Sequence, residues 1–249
     1  MIKGPIQHLA MNLASRAGFE LRRRPSHYAE GADQFLRSLI RKDNPVVLDV
    51  GANEGQSVRR FRKIWSRATI HCFEPNPAAF AALRDRHSEP ELHLNQIALS
   101  SASGVAELHA ILNRTDLSSL EPFNDKSEWF SARAKAGRSR SSHVIIETLD
   151  NYWENFQGEI DFLKIDTQGH ESTVLKGSER VLENAHWRPK VIELEINLGN
   201  AYARRTSLWE VDKPLSSFGY FAAYLKKPLN LLADPHGQID VIYVHRDLV

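Results

Sequence analysis

The stretch VVLDVGANEGQSV, Val46 to Val58, constrains the fold of this chain more than any other. Its first five residues, apolar but for one acid, read as a strand buried on both faces, the kind that belongs to a parallel sheet. Gly51 and Gly55 follow, where the backbone must turn sharply and is able to approach a ligand closely. Val58, Phe61 and Trp65 then recur at helical spacing. The charged run around them, Arg59, Arg60, Arg62 and Lys63, reads most simply as a solvated face.

The alternation of short apolar runs and amphipathic helices continues to the end of the chain. TIHCF is a second strand that runs into Glu74-Pro75-Asn76-Pro77, where Asn76 suits an N-cap and Pro77 the first helical position. ELHLNQIAL, VAELHAIL and HVIIETL read as further strands, the second pairing antiparallel at an edge. IDFLKID and VIELEI are near-continuous apolar strands; Val174, Leu175, Val181 and Leu182 between them mark one helix from Gly169 towards Pro189. YFAAYL and IDVIYVH have no helical pattern between them, so they are expected to pair antiparallel. The pattern therefore predicts an α/β fold: a mostly parallel Rossmann-like sheet with an antiparallel C-terminal strand and helices on both faces.

Ahead of the sheet, Ile6, Leu9, Ala10, Leu13 and Ala17 share one helical face, and Phe35, Leu36, Leu39 and Ile40 share another that Asn44-Pro45 ends. We expect a helical cap over residues 1–44 and a single domain over 45–249. Composition bounds the rest. Hydrophobic residues at 42% and charged ones at 25% are ordinary for a soluble globular protein. A net charge of +1 argues against a dedicated nucleic-acid binder. The single cysteine, Cys72, excludes an intrachain disulfide and a cysteine zinc cluster, and fits a reducing, cytoplasmic setting. No run approaches the roughly 18 apolar residues of a membrane span. Arg22, Arg23 and Arg24 leave docking on an anionic membrane surface open as an alternative to simple packing. Oligomeric state is not legible.

In such a sheet a ligand binds beyond the carboxyl ends of the strands. Asp49, Gly51, Asn53 and Gly55 belong to that end of the first strand. A dinucleotide fingerprint would put its first glycine where Asp49 stands, and a carboxylate repels pyrophosphate. It suits instead a ligand carrying an ammonium and a sulfonium, S-adenosylmethionine. No P-loop motif is present. Glu74, about 20 residues further on at the end of the second strand, is positioned to accept hydrogen bonds from ribose hydroxyls.

Here a family resemblance becomes specific. DVGANEG, FEPNP, IALSS, ETLDNYW, LKIDTQGHESTVLKG and KVIELEI occur in the order and character of the FkbM-type methyltransferases, over roughly Val46 to Ile196. The resemblance implies the seven-stranded class I methyltransferase fold, S-adenosylmethionine as cofactor, Ala98 within IALSS as a further cofactor contact, and O-methylation of hydroxyls on sugars and natural products. The chain departs from the family at Gln168, where an acid is common; if that acid helps catalysis or metal binding in the family, this chain must do without it.

Methyl transfer needs in-line positioning, and a base to take the hydroxyl proton. Asp166 ends FLKID, His170 and Glu171 open the next helix, and Glu193, Glu195 and Asn197 share one face of the following strand by period 2. Asp166, His170 and Glu195 are the candidate catalytic residues, with Asp166 also a cofactor contact. A histidine with a pKa near 6.5 suits proton removal, although a solvent-exposed helix start is an equally simple reading of His170. Glu171 is readable as a helix-start charge, and Lys164 as a partner for a carboxylate. No metal motif is present, although Asp166, His170 and Glu171 offer donors.

The segment from Asn113 to Ser142 lacks periodicity and reads as a substrate lid or a surface loop. Phe123, Trp129 and Phe130 suit a sugar ring, and Arg133, Lys135, Arg138 and Arg140 an acidic group. The expected acceptor is a small molecule or glycan. The alternatives are an RNA methyltransferase, drawn from the same aromatic and basic interleaving, and a cofactor-binding protein without catalysis. An NAD-linked oxidoreductase is opposed by Asp49 and by the glycine spacing.

Overall fold

The computed structural model describes residues 28–112, 114–127, 139–226 and 237–249. Helix α1 (Tyr28–Leu39) precedes β1 (Val46–Val50), α2 (Gln56–Ile64), β2 (Thr69–Phe73), α3 (Pro77–Arg86) and β3 (Leu92–Asn95). Strands β4 (Ala98–Leu99), β5 (Gly104–Ile111), β6 (Arg114–Ser119) and β7 (Ser139–Glu147) follow without a described helix between them. Then come α4 (Leu149–Trp153), β8 (Phe162–Ile165), α5 (Glu171–Lys176), α6 (Glu179–Glu183), β9 (Val191–Asn197), α7 (Leu208–Ser217), β10 (Tyr220–Lys226) and β11 (Gln238–His245).

Seven strands form the main sheet in the order β10-β11-β9-β8-β1-β2-β3. β11 runs antiparallel to both its neighbours, while the pairs β9-β8, β8-β1, β1-β2 and β2-β3 are parallel. Alternate side chains feed two layers. Val47, Phe162, Val191 and Ile242 pack with Ala32 and Leu36 of α1, Val58 and Phe61 of α2, and Leu83 of α3. Leu48, Val50, Leu163, Ile165, Ile192 and Leu194 pack with Trp153, Val174, Leu175, Val181, Leu182, Val211 and Leu215 on the opposite face. The expected α/β sheet with helices on both faces and antiparallel C-terminal pairing is what the chain forms.

Several local expectations change. ELHLNQIAL is not one strand: β3 belongs to the main sheet, and β4 pairs with β7 in a second, four-stranded sheet of order β4-β7-β5-β6. VAELHAIL and HVIIETL lie in that second sheet, not at the edge of the first. The helix expected after Gly169 is two helices broken at Gly177-Ser178. A Cβ on Gly177 would lie 1.9 Å from the carbonyl oxygen of Ser100, so the break lets β4 and its neighbours close in. The predicted lid is strand over Arg114–Ser119 and again from Ser139; Asn113, Trp129, Phe130, Arg133, Lys135 and Arg138 fall outside the described residues. So does the N-terminal helix of Ile6 to Ala17. Among the described residues no helix is long and apolar enough to cross a membrane. Arg60, read as part of a solvated face, is an ion-pair centre: its guanidinium donates to both oxygens of buried Glu193 at 2.7 and 2.9 Å and to Asp33 at 2.7 Å.

Candidate active site

A cavity of about 310 Å³ opens at the carboxyl ends of β1, β2, β8 and β9, with β6 along one wall. The first turn after β1 forms its base. Gly51 has φ +82°, and a Cβ there would meet the Asp166 carbonyl oxygen at 1.9 Å, so the loops after β1 and β8 touch backbone to backbone. Asn53 also holds a left-handed backbone (φ 47°). Its N–H donates to one carboxylate oxygen of Glu74 at 2.8 Å, and the N–H of Asn76 donates to the other at 2.8 Å. Asn76 in turn caps α3 through Ala78 and Ala79, as its sequence context predicts. Burial is the main influence on the Glu74 carboxyl, pushing it up to about 7 against the pull of these two amides. The side-chain oxygen of Asn53 is buried with no hydrogen-bond donor among the described residues.

The turn after β8 carries the other wall. Glu171, fully buried at the start of α5, accepts at one oxygen from the Thr167 N–H (3.1 Å), the Thr167 hydroxyl (3.2 Å) and the Gly169 N–H (2.9 Å). Desolvation raises its carboxyl, and the bonds from the turn oppose that rise. The brace holds Gln168 and Gly169 at φ 57° and 105°, which aims the Gln168 side chain across the cavity. Its amide nitrogen donates to Asp166 and to Glu195, both at 3.0 Å. Its oxygen accepts from Tyr202 at 3.1 Å and from Gln238 at 3.3 Å. Lys164 lies 3.3 Å from both Asp166 and Asp49. Burial acts to lower that ammonium, but the charges of Asp166, Asp49, Glu195 and Glu193 override it and hold it above its ordinary value.

His170 is not a solvent-exposed helix start. Its ring lines the cavity and is held at both nitrogens: Nδ1 lies 2.8 Å from a Glu121 carboxylate oxygen, and Nε2 3.0 Å from the Ser100 hydroxyl.

A family model described as the methyltransferase FkbM domain matches residues 49–222. The chain belongs to the FkbM methyltransferase family. Its curated relatives include the 2-O-methyltransferase NoeI of Sinorhizobium fredii, 32% identical over 156 residues, and the methyltransferase sdnD of Sordaria araneosa, 27% identical over 168 residues. Each match covers 58% of this chain and 62% of the relative, so the chain spans less than two thirds of their length. A solved FkbM methyltransferase from Methylobacillus flagellatus shares the fold with a TM-score of 0.53 at 14% identity, over 82% of this chain and 44% of that one.

Of the residues expected to serve this FkbM-family site, Gly51, Asn53, Glu74, Ala98, Asp166, His170 and Glu195 all line the one cavity. Two do not. Asp49 is fully buried beneath it, bonded to the Ser57 hydroxyl and to Lys164, so it cannot meet a cofactor's ammonium directly. Gly55 is turned away from the cavity: a Cβ there would strike His87 at 2.6 Å and Leu83 at 2.9 Å, so its need is for packing and for φ +87°. The sequence reading missed Glu121, Ser100, Tyr202 and Gln238 as site residues. Each reaches the site through a contact across at least 34 positions, and no local pattern announces such a contact.

Proposed function

We propose that this chain is an S-adenosylmethionine-dependent O-methyltransferase whose acceptor is a hydroxyl on a sugar or related natural product. The observation that carries the reading is Glu74, nearly buried at the end of β2, with one backbone donor on each oxygen and opening into the same cavity as Asp166, His170 and Glu195. A carboxylate has about four lone-pair sites, so two remain for the hydroxyls of a ribose. The Asn53 side-chain oxygen, which has no donor among the described residues, leaves room for a ligand donor beside it. The cavity volume lies within the usual range for small-molecule sites. These features fit S-adenosylmethionine, which when bound supplies an electrophilic methyl carbon on a sulfonium.

The chain's own part is to bind, orient and move a proton. Glu74 and Asn53 hold the nucleoside. Asp166 and Glu195, fixed relative to each other by the Gln168 amide, accept hydrogen bonds from ligand donors without having to reorganise. His170 takes the acceptor's proton. Thr115, Asp116, Ser118 and Gln238 add hydrogen-bonding groups to the same lining, which suits a polyhydroxylated acceptor better than an apolar one. The 2-O-methyltransferase named among the relatives supports the same chemistry.

Calorimetric titration with S-adenosylmethionine, its demethylated product and NAD tests the cofactor. We expect the first two to bind and NAD not to. Removing a hydrogen-bonded charged group costs about 1.5–3 kcal/mol, so Glu74→Ala is expected to weaken binding roughly 10- to 100-fold. Unchanged affinity in a folded Glu74→Ala protein sinks the assignment. Incubation with a labelled methyl donor and hydroxylated acceptors, followed by mass analysis of the product, separates a methyl ether from methylation at nitrogen.

A further inference from the structure

Glu121, His170 and Ser100 form a line of three polar side chains drawn from three separate parts of the fold. Glu121 follows β6, His170 caps α5 and Ser100 follows β4. Each is held in place. The Glu121 N–H donates to the Ser119 hydroxyl at 2.9 Å, and that hydroxyl donates to the Gln168 carbonyl at 2.9 Å, which ties the β6 end to the β8 turn. The Ser100 N–H donates to the Glu147 carbonyl at 2.8 Å, and Gly177 backs its carbonyl too closely for any side chain. The side chains of Glu121 and His170 are 11% and 12% exposed, so water competes little for the bond between them. Among the described residues the other titratable groups of this corner are Asp166 and Glu171 on the turn and helix of His170 itself, Glu195 on β9, Arg114 and Asp116 on β6, and Tyr202. Glu121 is the titratable group, among the described residues, in hydrogen-bond contact with the ring.

A carboxylate only accepts, so Nδ1 must carry the hydrogen that this 2.8 Å bond uses, and a neutral ring then has a bare Nε2. The Ser100 hydroxyl donates to that nitrogen. We propose that Glu121 is the positioning residue of the proton-accepting histidine, fixing His170 as the Nδ1–H tautomer and stabilising the imidazolium that forms, with Ser100 capping Nε2 until the acceptor hydroxyl displaces it. This rests on the methyl-transfer reading given above. As the acceptor oxygen forms its bond to the methyl carbon, its O–H bond breaks and the proton passes to Nε2. The pair of the methyl–sulfur bond stays on sulfur, and the positive charge moves from the sulfonium to the imidazolium facing Glu121. A carboxylate that only orients a histidine is able to govern several orders of magnitude in rate when its replacement admits the wrong tautomer.

The test joins a spectroscopic readout to kinetics. In ¹⁵N-histidine-labelled protein without ligands, two-dimensional ¹⁵N–¹H correlation at high pH is expected to show His170 protonated at Nδ1; an Nε2–H tautomer overturns the proposal before any variant is made. Glu121→Gln keeps the shape but is able to donate to Nδ1. We expect a mixed or reversed tautomer, kcat lower by about 10- to 1000-fold, acceptor KM within about threefold, and cofactor affinity unchanged. The low-pH limb of kcat is expected to move to lower pH, because the charge favouring imidazolium is gone. His170→Ala separates the two levels of the argument. Full turnover in His170→Ala removes histidine from the methyl-transfer reading itself. Loss in His170→Ala with a normal rate, pH profile and tautomer in Glu121→Gln removes only Glu121.

Discussion

At the scale of single residues, Glu74 makes a pH-dependent prediction. Its carboxyl is pushed up to about 7 in the folded chain from an ordinary value of 4.5. A raised folded value means that the contribution to stability is fully present below about 4.5 and lost as pH rises through about 7. Unfolding of the ligand-free protein is therefore expected to show a term that weakens over that window, and Glu74→Gln is expected to flatten it; an identical slope in both proteins counts against it. Binding of ribose hydroxyls favours the ionised form, so S-adenosylmethionine affinity is expected to rise with pH across the same window, with proton release visible by calorimetry in two buffers. Gly51 gives a sharper case. With a Cβ 1.9 Å from a backbone oxygen and φ +82°, Gly51→Ala must move the Asp166 loop, and we expect cofactor binding to fall at least tenfold in a chain that still folds. Asp49 shows what could have been read further. By strand parity it shares a face with Val47, which packs on α2, so its carboxylate points at Ser57 and not at the ligand space. Lys164, read from the sequence only as a partner for a carboxylate, is the residue that register pairs with Asp49 across β1 and β8. The place of His170 at the cavity was legible; its partners were not, because Glu121 and Ser100 lie 49 and 70 positions away.

At the scale of elements, legibility follows burial. β1, β8 and β9 are nearly continuous apolar runs because both faces are covered, and they stand out in the sequence. β3 and β4 merge into one apparent strand because apolar spacing carries no mark of a change of sheet. The chain leaves the main sheet at Asn95, whose amide donates to the Cys72 carbonyl and the Tyr152 hydroxyl, both at 3.1 Å. α7 escaped notice because Pro214 sits inside it, although Ser207 and Glu210 form a capping box at its start. The break between α5 and α6 carries a prediction. Gly177→Ala puts a methyl group into the Ser100 carbonyl, so the two must part. Overpacking of this kind costs about 1–3 kcal/mol, which in a chain of this length lowers Tm by roughly 2–12 °C. Because Ser100 meets His170, turnover is expected to change as well, while cofactor affinity, which the proposed function assigns mainly to Asn53 and Glu74 at the β1 and β2 ends, is not. A drop in cofactor affinity matching the drop in turnover would mean that the strain spreads through the whole site.

At the scale of the whole molecule, the mostly parallel sheet and the reversed β11 were implied by alternation and by two final strands with no helix between them, while the order of the strands was not. The four-stranded second sheet was not, since its pairings join β5 to β7 across residues without periodicity. How the residues after α1 join the sheet was equally hidden, and it supplies the last prediction. Asp161, fully buried just before β8, accepts from the Val46 N–H at 2.9 Å and pairs with Lys42 at 2.5 Å and Lys190 at 2.9 Å. One carboxylate thus fastens the linker after α1, the start of β1 and the entry to β9 at the end of the sheet away from the cavity. The lysines are 39% and 37% exposed, so their attraction is partly screened, but the carboxylate itself has no water to fall back on. Removing it strands a buried N–H, while Lys190 and Lys42 keep Glu159 at 3.0 and 4.0 Å. We expect Asp161→Ala to cost about 1–3 kcal/mol, read as a lower denaturant midpoint with an unchanged slope. Asp161→Asn, which keeps an acceptor for Val46, should recover part of that loss. Cofactor affinity should stay within about twofold in both, because the cavity lies at the opposite ends of the strands. A large change in affinity at equal stability would mean that this end of the sheet reaches the site by a path these contacts do not describe.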